Sequence, residues 1–83
     1  MPDAKIVVYG ADWCGDCRRA VNFFNEHKIA FKWINIDRDK KAEQFVIKTN
    51  HGYRSIPTIV LEDGTILVEP SLIQLMSKFE IAR

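Results

Sequence analysis

Apolar residues fall in short bursts separated by turn-forming residues, and the spacing within each burst predicts its conformation. Lys5 to Tyr9 is a β-branched apolar run closed by Gly10, the pattern of a buried strand. From Gly15 to about Lys28, Cys17, Ala20, Val21 and Phe24 recur at i, i+3, i+4 and i+7, which predicts a first helix with one core-facing stripe. Ala30 to Ile36 returns to strand composition through Phe31, Trp33, Ile34 and Ile36. A strand–helix–strand succession this short requires parallel strands and a right-handed crossover.

Asp37 or Asp39 caps a second helix, with Ala42, Phe45 and Val46 inward and Lys40, Lys41 and Glu43 in water, ending near Asn50-His51-Gly52. Thr58 to Leu61 and Thr65 to Val68 form an antiparallel pair turning through Glu62-Asp63-Gly64. Pro70 and Ser71 start a last helix whose Leu72, Leu75, Met76 and Phe79 face the core. The predicted order is β-α-β-α-β-β-α, an α/β fold with a mixed four-stranded sheet flanked by helices. With no repeat, linker or low-complexity tract, residues 1–83 are expected to form a single domain.

Composition narrows the function classes. A net charge of +1, with Lys and Arg dispersed along the chain, gives no field for nucleic acid, so no nucleic-acid partner is expected. No apolar run approaches the roughly 20 residues of a membrane helix, so no membrane partner is expected. Met1-Pro2-Asp3-Ala4 leads directly into Ile6-Val7-Val8 without the pattern of a secretory leader, which makes the cytoplasm the expected compartment. A structural disulfide does not persist there, so the only two cysteines, three positions apart, require another explanation.

Cys14-Gly15-Asp16-Cys17 lies where the first strand gives way to the first helix. A thiolate at Cys14 would accept hydrogen bonds from the free N–H groups of Asp16 and Cys17 and meet the positive helix end, which lowers its pKa. Cys17, a turn deeper on the apolar stripe, keeps its proton longer. An exposed Cys14 therefore attacks a substrate disulfide, and Cys17 resolves the mixed disulfide. A structural zinc site would need a further close Cys or His pair, which His27 and His51 do not supply, so no metal is expected.

The neighbours are read more simply. Asp16 is a good first-turn acid that also opposes thiolate formation. Trp13 is either an aromatic wall for substrate or a ring packed under the loop. Arg18 and Arg19 are read as solvent-facing, and His27 and Lys28 as favourable charges at a helix C-terminus. Pro57 stands immediately before the third strand, a position where proline is structurally permitted.

Together these segments resemble the glutaredoxin-like branch of the thioredoxin superfamily, and the mycoredoxins in particular, over nearly the whole chain. Trp13 to Arg19 is similar to the mycoredoxin active-site segment, with Asp16 where an aromatic residue is usual. Tyr53-Arg54-Ser55-Ile56-Pro57-Thr58 resembles the family's Arg-Thr-Val-Pro-Thr segment, and Asp63-Gly64-Thr65 and Glu69-Pro70-Ser71 its hairpin and last-helix segments. The resemblance implies catalytic Cys14 and Cys17, a cis peptide before Pro57, and a substrate-binding surface drawn from Trp13, Arg54, Ile56, Pro57 and Ser71. Leu67-Val68-Glu69-Pro70-Ser71 occupies the stretch where glutathione-using glutaredoxins carry Gly-Gly and an Asp-containing segment. Ser71 and its helix N-terminus remain available for a carboxylate.

The resulting expectation is a monomeric thiol–disulfide oxidoreductase acting on protein disulfides or mixed disulfides. It carries no bound cofactor and is recycled by a low-molecular-weight thiol, mycothiol or glutathione, as co-substrate. One alternative is a thioredoxin-like donor, recycled by thioredoxin reductase and serving ribonucleotide reductase or a peroxidase. Another is an iron–sulfur or metal carrier, which needs four cysteine ligands and hence a second chain.

Overall fold

The computed structural model describes residues 5–81, so Met1–Ala4, on which the leader reading rests, lie outside it. The elements follow the predicted order: β1 (Val7–Gly10), α1 (Gly15–Glu26), β2 (Lys32–Asn35), α2 (Lys40–Thr49), β3 (Thr58–Val60), β4 (Ile66–Val68) and α3 (Leu72–Lys78). The strands lie in the order β2-β1-β3-β4, with β1 and β2 parallel and β3 antiparallel to both β1 and β4. Each strand is shorter than its apolar pattern, because burial continues past the ladder: Ile6, Ile36 and Leu61 are buried yet lie just outside the strands.

Both faces of the sheet are covered, as crossover helices require. On one, Val8 and Ile59 pack with Ala20, Phe23 and Phe24 of α1 and Leu75 of α3. Phe24 meets Phe79 edge-on at 5.5 Å between ring centroids, which ties α1 to the end of α3. The second core joins Ala42 and Val46 of α2 to Ile36, Ile56, Cys14 and Cys17. The cysteine pair is therefore part of a packed core, and its surroundings are apolar.

Several expectations are corrected. Phe23, and not Val21, completes the buried stripe of α1, and the helix stops at Glu26, with His27 as its cap and Lys28 in the left-handed region at φ 55°. Of the α3 residues expected inside, only Leu75 is buried; Met76 and Phe79 pack at the margin and Leu72 is largely exposed, because a seven-residue helix presents too short a face to bury four side chains. Phe45 is half-exposed and rests against Tyr9 at 4.9 Å between centroids. Asp39 is the cap of α2, its carboxylate accepting the Ala42 N–H at 3.0 Å, which leaves Asp37 free for other partners.

Candidate active site

The loop from β1 folds back through a Cys14 N–H to Ala11 carbonyl bond of 3.2 Å and delivers Cys14 to the N-cap of α1 in an extended conformation. Its Sγ accepts the Cys17 N–H at 3.2 Å; Asp16, the other expected donor, makes no such bond. Cys14 is far less open than expected, at 8% exposure, because the Ile56 carbonyl stands 3.9 Å from its sulfur. It is still the more accessible thiol, since Cys17 has no exposure at all. Burial, reinforced by the hydrogen bond with Cys14, pushes the Cys17 thiol up to about 12, with the charges of Cys14 and Asp16 adding in the same direction.

Gly10 makes this packing possible. A Cβ at that position would lie 2.6 Å from Cys17 Sγ and 2.7 Å from the Trp33 ring. The sequence marked this glycine only as a strand end; the close approach comes from the helix and β2 converging on it.

The Ile56–Pro57 peptide is cis, and Pro57 is fully buried. Thr58, with no exposure, holds this loop: its hydroxyl donates to the Ser55 carbonyl at 2.7 Å and accepts from Asn50 Nδ2 at 3.1 Å. Asn50 in turn donates to the Val46 carbonyl at 2.8 Å, so the end of α2 and the proline loop form one unit. Neither polar residue stood out in the sequence, because side-chain bonds of this kind leave no periodic signal.

Trp13 lies on the surface, 69% exposed, and does not pack under the loop. Its indole N–H donates to Asp37 at 2.8 Å. Arg54 pairs with the other oxygen of Asp37 and, through Nε, with Glu43 at 2.7 Å. The indole bond and then the guanidinium hold the Asp37 carboxyl below its ordinary range. Asp37 and Glu43 were seen in the sequence only as a possible cap and a wet helix position.

Asp16 pairs with Arg19 at 3.0 Å, with both side chains half-exposed. Ser71 caps α3: its hydroxyl accepts the Gln74 N–H at 3.1 Å while its own N–H donates to the Gln74 side chain at 2.7 Å. The Ser71 hydroxyl and N–H, and the Gln74 N–H of the first turn, are thus engaged within the chain.

A cysteine pair spanning the first turn of a helix, beside a cis-proline loop on a mixed sheet, defines the class of thioredoxin-fold thiol–disulfide oxidoreductases. Solved structures share the fold: the thioredoxin-like protein BC3987 superimposes with a TM-score of 0.75 at 24% identity, covering 87% of this chain and 96% of that one. A glutaredoxin from Archaeoglobus fulgidus gives 0.71 at 23% identity, covering 89% and 84%. Residues 6–66 match the glutaredoxin family model, and the chain belongs to that family.

Among relatives, a glutaredoxin-named protein of Mycobacterium tuberculosis is 32% identical, covering 94% of this chain and 93% of its own length. Mycoredoxin 1 of Corynebacterium glutamicum is 29% identical, covering 93% and 95%. The glutaredoxin-like protein NrdH of Lactococcus lactis is 34% identical, covering 70% and 78%. The chain is a glutaredoxin-family thiol–disulfide oxidoreductase. Among the described residues no helix is long and apolar enough to cross a membrane.

Proposed function

We propose that the protein reduces protein disulfides or mixed disulfides through the Cys14–Cys17 dithiol and is recycled by a low-molecular-weight thiol. The observation that carries this reading is the unequal placement of the two sulfurs. Cys14 accepts a backbone N–H at a helix start, a position suited to a thiolate, whereas Cys17 is sealed in the core.

Attack by the Cys14 thiolate on a substrate disulfide forms a mixed disulfide and releases one thiolate, which takes up a proton. The same step consumes the Cys14 charge and the hydrogen bond that help to keep Cys17 protonated. Cys17 then loses its proton more readily, attacks Cys14 Sγ and releases the second thiol; two electrons have left the dithiol and reduced the substrate. The exposed ring of Trp13 and the backbone of Ile56, held in place by the buried Pro57, form the surface against which substrate docks.

Two small thiols, mycothiol and glutathione, are the candidate reductants. A second reading, a donor recycled by thioredoxin reductase, is favoured by the engagement of the Ser71 hydroxyl and N–H in the α3 cap, which leaves neither for the carboxylate of a small thiol. Either recycling route suits a reducing compartment such as the cytoplasm, where reduction of the substrate is the expected direction.

Supplying glutathione, mycothiol or thioredoxin reductase as the sole electron source separates the recycling routes. Single-cysteine variants test the roles. Cys14→Ser is expected to abolish exchange, and Cys17→Ser to accumulate a Cys14 adduct visible by mass spectrometry. Equal loss in both variants with no adduct would overturn the assignment.

A further inference from the structure

Arg54 lies two residues before Ile56, whose carbonyl faces Cys14, and carboxylates meet its guanidinium from two sides. Nε donates to Glu43 at 2.7 Å. Nη2 pairs with Asp37, whose second oxygen holds the Trp13 indole N–H at 2.8 Å. One positive charge thus sits between two negative ones. In the adjoining cavity of about 270 Å³, Asp37, Asp39 and Glu43 balance Arg38, Lys40 and Arg54, so no net positive charge faces a ligand there.

A guanidinium recognises a carboxylate because its N–H fork matches two oxygens and its charge is uncompensated. Arg54 has already spent its Nε donor and an Nη2 donor on carboxylates. An incoming carboxylate would find part of the fork and would be repelled by the two anions beside it.

We infer that Asp37 and Glu43 are specificity-determining residues. By occupying Arg54 they turn the surface beside Cys14 away from thiols that carry carboxylates and toward uncharged ones. This deepens the proposed function and rests on Cys14 being the nucleophile. Asp37 and Glu43 touch no reacting atom in this scheme; they act through Arg54.

The test uses one peptide with a single cysteine, capped either with glutathione, which bears two carboxylates, or with 2-mercaptoethanol, which bears none. Pre-reduced protein reacts with each in a single turnover: Cys14 takes one sulfur of the mixed disulfide, Cys17 closes the internal disulfide, and both thiols are released. The dithiol supplies both electrons, so no other reductant is required. The quantity read is the ratio of the two second-order rate constants, glutathione over mercaptoethanol, which does not depend on the fraction of active protein.

Glu43→Gln is expected to raise this ratio about fivefold, the effect of one partly exposed ion pair. The gain should shrink as salt is raised and vanish in an Arg54→Gln background. Asp37→Asn, the second variant, is expected to move the ratio in the same direction. An unchanged ratio in both variants, or an equal gain without Arg54, overturns the inference. If the unaltered protein releases thiol from neither substrate, the Cys14 reading falls with it, whereas turnover of both at an unresponsive ratio leaves that reading standing.

Discussion

Gly10→Ala probes the packing on which the dithiol depends. The added Cβ would stand 2.6 Å from Cys17 Sγ and 2.7 and 2.9 Å from two Trp33 ring carbons. Unstrained carbon contacts lie at about 3.5–4.0 Å, so roughly an ångström must be recovered on two sides at once. Cys17 has no exposure and Trp33 packs against both cores, so neither can yield into solvent without opening the sheet–helix contact. Overpacking of this kind costs about 1–3 kcal/mol. In a domain of this length each kcal/mol lowers Tm by about 4–8 °C, which gives an expected loss of roughly 5–20 °C in the reduced protein.

The displacement also falls on Cys17, the resolving sulfur of the proposed scheme. Release of the second thiol from a preformed Cys14 mixed disulfide is therefore expected to slow more than the initial attack. Circular dichroism melts give the first quantity and stopped-flow thiol release the second. Gly15→Ala is the control: a Cβ there meets nothing within 4 Å, so no overpacking loss is expected. A Gly10→Ala melt within about 2 °C of the parent, with resolution unchanged, would refute the close-approach argument.

Two further outcomes follow from the same geometry. Thr58→Val leaves the Ser55 carbonyl and the Asn50 amide without their partner and is expected to cost about 1–3 kcal/mol in urea unfolding, with Thr58→Ser recovering most of it. A valine variant as stable as the parent would show that the loop is held by packing alone. The reduced protein should also lose stability in alkali, because the folded state keeps the Cys17 proton up to about 12 while the unfolded chain gives it up near the ordinary value of 9.0. That contribution is complete below about pH 9 and is lost as pH rises toward the folded value. Tyr9, raised by burial and then by Asp39, acts in the same direction above 10.0. Urea midpoints across this range should fall more steeply for the parent than for Cys17→Ala, and parallel profiles would contradict the account.

The periodicities of the chain carried the element order, the parallel first pair and the antiparallel hairpin, since each follows from the spacing within an element and the short connections between consecutive elements. The Cys14–Cys17 turn was legible for the same reason: a strand end, a cap position and a helical stripe are all local, and α1 begins at Gly15 as the pattern requires. Asp39 and Asp37 looked interchangeable in sequence, yet one caps α2 and the other reaches Trp13 across 24 positions. The choice depends on where β2 delivers the chain, which no local pattern encodes.

Tertiary structure alone decided how open the dithiol is. The Ile56 carbonyl covers Cys14 from 42 positions away, and convergence of α1 and β2 on Gly10 seals Cys17. It likewise decided that Arg54 answers to Asp37 and Glu43, since charges attract through space without regard to sequence separation. The amino-acid pattern sufficed for the elements and for placing the two cysteines on one turn at a helix start, because backbone hydrogen bonding and helical periodicity act over a few residues. The exposure of those sulfurs and the charge beside them depend on segments that meet only when the sheet assembles.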